Sequence, residues 1–205
     1  MKKSKLTKYT AIISTIFIAT IAILNVTQLT YATPTASPLA AAATTASTAA
    51  VEWPAEPATV AGSAILIDAD TGAVLYDKSS HTKAYPASIT KLMTALLTIE
   101  NCSLDEVVTF SQTAAKSVIP GVDANIATKV GEQYTVDQSL HALLLSSANE
   151  VAYGLAERVA GSLAGFTDMM NARAKELGAL NTHFNNASGL SDPNHYTTAY
   201  DMAMI

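Results

Sequence analysis

One stretch of this chain puts a lysine at the head of an apolar helix. Pro86-Ala87-Ser88-Ile89-Thr90-Lys91 runs directly into Leu92, Met93, Ala95, Leu96, Leu97 and Ile99, and the run closes near Asn101. Apolar residues dominate it with i, i+4 recurrences, the pattern of a buried helix. Pro86 stands just upstream, where a helix start tolerates proline. Residues three apart on a helix share a face, so the Ser88 hydroxyl and the Lys91 amine adjoin. A free serine hydroxyl is a poor nucleophile and needs a neighbouring base to take its proton. Read alone, S-x-x-K fits a simple helix cap equally well. A second copy, Ser80-His81-Thr82-Lys83, lies among Asp77, Lys78 and Ser79 and reads as loop.

A second motif separates these alternatives. Ser147-Ala148-Asn149 is the only S-x-N in the chain and follows Ser88 by 59 positions. It lies between an amphipathic stretch, Val136 to Leu145, and a helical run, Glu150 to Ala160. A short connection between two helices presents polar side chains well.

The amino end points outward. Lys2, Lys3, Lys5 and Lys8 precede an apolar core from Ala11 to Leu24, of signal-peptide length and short for a membrane span. Thr30-Tyr31-Ala32 is an acceptable cleavage site, so residues 1–32 are expected to be an export signal, with an uncleaved anchor as the alternative. Either way, the remainder lies outside the cytoplasm. Residues 33–50 contain only Thr, Pro, Ala, Ser and one Leu, too little apolar surface to offset the entropy of ordering. Residues 33–58 are therefore expected to be a disordered linker, and 59–205 the folded part. Any helicity over Ala40 to Ala43 would be marginal at that length.

Charge excludes one class of partner. The chain carries −5, and removing the four lysines of residues 1–32 leaves −9. A nucleic-acid backbone demands a basic surface, so no nucleic-acid partner is expected. Cys102 is the single cysteine, so no internal disulfide forms, and it reads as a small residue just past a helix end. His81, His141, His183 and His195 show no metal-ligand spacing, so no metal or cofactor is expected.

Ser88-Ile-Thr-Lys91 and Ser147-Ala-Asn149, with their flanks, resemble the first two motifs of the penicillin-recognising serine enzymes. The match is closer to the low-molecular-mass D-alanyl-D-alanine carboxypeptidases. Ala64-Ile-Leu-Ile-Asp-Ala-Asp-Thr-Gly-Ala-Val-Leu-Tyr76, Leu92-Met-Thr-Ala-Leu-Leu97, Phe184-Asn-Asn186-Ala-Ser-Gly189-Leu190 and His195-Tyr-Thr-Thr-Ala-Tyr-Asp201-Met-Ala203 extend it over roughly residues 60 to 205. The resemblance implies an α+β fold, a β-lactamase/transpeptidase-like antiparallel sheet flanked by helices, with a helical lobe. It implies Ser88 as nucleophile, Lys91 as base, Ser147 as proton relay and Asn149 as a substrate-binding residue. The implied partners are peptidoglycan stem peptides ending in D-Ala-D-Ala and β-lactam antibiotics, with membrane association through a carboxyl-terminal anchor.

The family's third motif, Lys-Thr-Gly on a strand, is absent, and the chain stops inside an apolar helical pattern. A carboxyl-terminally truncated, nearly inactive chain is therefore expected. A class A β-lactamase would place aspartate inside S-x-N and add a later glutamate. Here the middle residue is Ala148, and no glutamate follows Glu176. Two further readings are a sensor that acylates without turnover, and a wall-anchored structural protein.

The rest of the pattern is a hairpin turning at Asp70-Thr71-Gly72, between Ala64–Asp68 and Ala73–Asp77. Val107 to Phe110 is an apolar run of uncertain type, and residues 111–135 read as irregular around Pro120-Gly121 and Gly131. A helix is expected from Leu163 to about Leu177, with Gly178 as its C-cap, and a loop from Asn185 to Asn194. Asn186, Gly189, His195 and Asp201 read as structural.

Overall fold

The computed structural model describes residues 55–205. The expected export signal and all but the last four residues of the expected linker lie outside the described residues.

The hairpin forms as its turn chemistry dictates. Strands β1 (Ala64–Ile67) and β2 (Val74–Lys78) pair antiparallel, Ala64 opposite Lys78, with a register irregularity at Leu66/Ile67. Asp68 Oδ1 accepts hydrogen bonds from the Thr71 amide at 2.8 Å and hydroxyl at 2.7 Å. That closes an Asx-type turn, and Gly72 supplies the left-handed step at φ +73°. A 3-10 turn, Ala87–Thr90, then feeds α1 (Lys91–Asn101).

Residues 111–135, expected to be irregular, contain two short elements. Helix α2 (Gln112–Ala115) is capped by Ser111 Oγ, which accepts from the Ala114 amide at 3.0 Å. Strand β4 (Gln133–Thr135) pairs antiparallel with β3 (Val107–Thr109), Val107 opposite Thr135. Three-residue strands give no readable alternation, and only the long-range pairing reveals them. Strand β4 runs straight into α3 (Val136–Leu145). Thr135 and Gln138 form a reciprocal capping box there, with Gln138 N donating to Thr135 Oγ1 at 3.1 Å and Gln138 Oε1 accepting from Thr135 N at 2.9 Å.

Helix α4 (Asn149–Ala160) packs against α1, α2, α3, β3 and α5 (Leu163–Glu176). Its Val151, Ala152, Leu155 and Ala156 are fully buried, against Met93, Phe110, Leu143, Phe166 and Met170 from its neighbours. Each fully buried valine, leucine, phenylalanine or methionine among them contributes about 1.5–3 kcal/mol. The core thus fixes α4, and through it the connection between α3 and α4. After α5, which is C-capped at Leu177 with Gly178 next at φ +84°, the chain loops to α6 (Ala199–Met204), which packs on β1. Asp201, buried in the first turn of α6, accepts from the Asn181 amide at 2.6 Å and the Thr182 hydroxyl at 2.8 Å. These contacts tie the helix start to the neighbouring backbone, a structural role. Among the described residues, no helix is long and apolar enough to cross a membrane.

Candidate active site

The 3-10 turn places Ser88 one turn ahead of Lys91, and the helical lobe brings the second motif to meet them. Lys91 is only 2% exposed. Its Nζ stands 3.1 Å from Ser88 Oγ, 2.7 Å from Asn149 Oδ1 and 2.7 Å from the Ser188 carbonyl oxygen. An amide oxygen and a peptide carbonyl can only accept. A neutral lysine amine has two N–H donors and one lone pair. The two acceptors take the donors and leave the lone pair facing Ser88 Oγ. That is the arrangement a base needs to receive the serine proton.

Burial favours the neutral amine. Desolvation pushes the Lys91 amine down from 10.5 to about 8, and the charge of Glu150 pulls the other way. At pH 7 about one amine in ten is then neutral, far more than for an unperturbed lysine. Glu150 is 1% exposed, and its Oε1 accepts from the Ile126 amide at 2.7 Å. Its Oε2 has no hydrogen-bond partner among the described residues.

Ser147 occupies the three-residue connection between α3 and α4 in a left-handed conformation, φ +53°. Its Oγ donates to Ser88 Oγ at 2.9 Å. Beside it the Ala148 side chain is fully buried, and the Asn149 amide donates to the Ala124 carbonyl at 2.9 Å. Anchored on both sides, the connection holds a conformation that non-glycine residues rarely adopt. Such strain persists only where surrounding structure over-determines it. Ala87, just before Ser88, is also left-handed, at φ +48°.

All four residues singled out from the sequence, Ser88, Lys91, Ser147 and Asn149, thus converge on one point. Three of them, Ser88, Lys91 and Ser147, line a cleft of about 320 Å³ together with Ile89, Leu92, Leu143 and Leu144, and Asn149 is buried behind Lys91. A larger cleft of about 420 Å³ lies between β1 and α6, but no lysine, histidine or carboxylate lines it. The smaller cleft has the chemistry. The Ser80 and Lys83 copy of the motif stays apart: Ser80 donates to Asp77 Oδ2 at 2.8 Å, and Lys83 lies over the Tyr196 ring. Sequence reading missed two contributors. The Ser188 acceptor is a backbone carbonyl, invisible to side-chain motifs, and Glu150 resembles an ordinary first-turn acid. Among the described residues, no group of three or more His, Cys, Asp or Glu converges as a metal site requires.

A family model described as D-alanyl-D-alanine carboxypeptidase matches residues 47–205. The chain belongs to the D-alanyl-D-alanine carboxypeptidase family. D-alanyl-D-alanine carboxypeptidase DacF of Bacillus subtilis is 40% identical over 150 residues, covering 71% of this chain and 38% of that protein. DacD of Escherichia coli is 33% identical over 159 residues, covering 74% of this chain and 41% of that protein. Among solved structures, penicillin binding protein 6B from Escherichia coli superposes with a TM-score of 0.69 at 32% identity, covering 74% of this chain and 50% of that one. DacD from Francisella tularensis gives 0.68 at 33% identity, covering 74% and 37%. The chain therefore spans about two fifths of the length of these curated relatives, and it has the carboxypeptidase or transpeptidase-like fold.

Proposed function

We propose that this chain supplies the nucleophile, base and proton relay of a serine D-alanyl-D-alanine carboxypeptidase acting on peptidoglycan stem peptides. The observation that carries the reading is Lys91, buried between Ser88 Oγ and two acceptor oxygens, with Ser147 Oγ donating to Ser88 Oγ.

In the proposed reaction, Ser88 Oγ attacks the carbonyl carbon of the penultimate D-alanine while its proton passes to Lys91. A tetrahedral oxyanion forms, and the Ser88 amide, close to the start of a helix, is suited to donate to it. Ser147 relays a proton to the departing nitrogen as the C–N bond breaks, and D-alanine leaves. Water attacks the resulting ester, its proton returns through the same groups, and the carboxylic acid is released with Ser88 restored. Splitting amide cleavage into two steps lowers each barrier. Asn149 orients Lys91, and in this reading its side-chain amide also binds the substrate amide. A β-lactam offers a strained amide to the same serine and would acylate it. The family's third motif would complete the oxyanion hole and bind the substrate carboxylate, and residues 59–205 contribute the earlier part of that domain.

The same reading places the protein in the bacterial cell envelope, exported through residues 1–32 and tethered through residues 33–58. Membrane association through a carboxyl-terminal anchor belongs to this proposal.

The test uses the full-length protein and a labelled penicillin, read by intact mass. Wild type gains one adduct, and Ser88→Ala gains none. Release of free D-alanine from a pentapeptide then marks an enzyme, and a single stoichiometric burst marks a sensor. A folded wild type that gains no adduct overturns the reading.

A further inference from the structure

Behind Lys91 lies a loop most of whose contacts the proposed reaction does not use. The loop containing Asn185 and Gly189 supplies the Ser188 carbonyl to Lys91 and the Ala187 carbonyl to Thr94 Oγ1, each at 2.7 Å. It is organised by Asn186 Oδ1, which accepts from the Ser188 amide at 3.1 Å and the Gly189 amide at 2.7 Å. It sits so close to the nucleophile turn that a Cβ on Gly189 would fall 1.8 Å from the Ala87 carbonyl oxygen. One side chain links loop to turn directly. His195, 2% exposed, has its Nδ1 3.1 Å from the Asn185 amide nitrogen and its Nε2 2.8 Å from Thr90 Oγ1.

The chemistry of these partners sets the ring's proton. A peptide N–H can only donate, so Nδ1 must hold a lone pair. The neutral imidazole then carries its hydrogen on Nε2, where it donates to Thr90 Oγ1. Thr90 is the residue between Ser88-Ile89 and Lys91.

We propose that His195 is a positioning residue: as a neutral Nε2–H imidazole clamped between Asn185 and Thr90, it holds the Ser188 carbonyl against Lys91, and a second proton on the ring releases that clamp. The inference rests on the acyl-serine reading given above. Protonation would put an Nδ1–H against the Asn185 N–H, two donors facing each other at 3.1 Å. The hydrogen bond would be lost and the loop displaced, leaving Lys91 without one of its two acceptors.

The surroundings agree with a ring kept neutral. Burial holds the His195 ring below the usual histidine value, opposed by Asp192 and reinforced by His183. Asp192 lies on its own stretch of chain, which also carries the adjacent phenol Tyr196, and His183 lies on the segment bridged to Tyr196. The ring of Phe184 stands edge-on to it at 5.7 Å. From the nucleophile turn the facing group is the uncharged Thr90, with Lys91 the next residue. The ring is therefore neutral at neutral pH and takes its proton only in acid. Acylation then requires two groups to be deprotonated, Lys91 and His195. Below the histidine's titration the logarithm of the acylation rate should fall with a slope of about two per pH unit, against one for a lone base.

The test follows acylation by a fluorescent penicillin against pH in the full-length protein, alongside nitrogen-15 spectra of its histidines. His195 is expected to show a proton on Nε2 and a bare, accepting Nδ1 at neutral pH, and to titrate where the acid limb steepens from slope one to slope two. His195→Gln keeps a donor and an acceptor but cannot charge. It should retain acylation within about tenfold at neutral pH and lose the second slope. Superimposable profiles for wild type and His195→Gln overturn the inference, as does an Nδ1–H tautomer. If His195→Gln does not fold, wild type alone decides: a histidine titration more than one pH unit from the steepening overturns the clamp. A folded wild type unreactive at every pH overturns the acyl-serine reading itself, which is a separate result.

Discussion

Lys91 Nζ and Asn149 Oδ1 meet at 2.7 Å across 58 positions of the chain, joining the first turn of α1 to the first residue of α4. The next residue after Asn149 is Glu150, whose buried charge opposes the downward pull of burial on Lys91. A carboxylate near a lysine favours its charged form, so removing the charge must favour the neutral amine. In Glu150→Gln the Lys91 amine should titrate below about 8, and the main acid limb of penicillin acylation should move to lower pH. An unchanged or alkaline-shifted limb would show that the Glu150 charge does not reach Lys91.

Ser147 is strained and useful at once. A non-glycine residue held at φ +53° costs on the order of 1–3 kcal/mol. Ser147→Gly removes that cost and the hydroxyl together. It should raise the melting temperature, by about 2–4 °C per kcal/mol recovered, while lowering acylation about 10²–10⁴-fold. Ser147→Ala should lose the same activity without the thermal gain. A calorimetric scan of the three proteins, paired with penicillin acylation rates, separates strain from chemistry.

The site was legible because its parts are side chains on strong elements. Ser88, Lys91, Ser147 and Asn149 lie at the ends of α1, α3 and α4, whose apolar periodicity is unambiguous, so helix ends and motif residues could be read together. The hairpin was legible through Gly72 and its Asp68–Thr71 turn. What stayed hidden depends on long-range contact. Strand β4 exists only because Val107–Thr109 pairs with it. The Ser188 carbonyl carries no residue signature, and Glu150 looks like any helix-start acid. His195 reads as structural, and only its two ring contacts show how it ties the loop to the nucleophile turn.

Gly189 is expected to be irreplaceable for a reason beyond its turn. Its φ of +88° disfavours any side chain, and an added Cβ would lie 1.8 Å from the Ala87 carbonyl and 3.0 Å from Thr90 Oγ1. The backbone carbonyl cannot swing away, so the loop or the nucleophile turn must move. Gly189→Ala should lose about 1–3 kcal/mol of stability in chemical denaturation. Displacing Lys91 from Ser88 by even 1 Å should slow acylation about 10²-fold. A variant with wild-type acylation would mean that the contact between loop and turn is dispensable.

Gly154 offers the complementary case, a packing contact within the core. In an ordinary helix interior, glycine to alanine stabilises by about 1 kcal/mol. Here a Cβ on Gly154 would come 2.4 Å from Phe110 Cε1 and 2.7 Å from Cδ1, inside a fully buried cluster. Overpacking of that kind costs about 1–3 kcal/mol, so Gly154→Ala should destabilise despite its better helix propensity. The acid limb of acylation should stay where it is, because the contact lies more than one helical turn beyond Asn149. The clash is with the Phe110 ring alone, so Phe110→Leu should relieve it in the double variant. Denaturation midpoints of the two single variants and the double should then show favourable coupling, as expected of side chains in contact. Strict additivity would mean that Phe110 has room to turn aside and that α4 and β3 are less tightly packed than this contact implies.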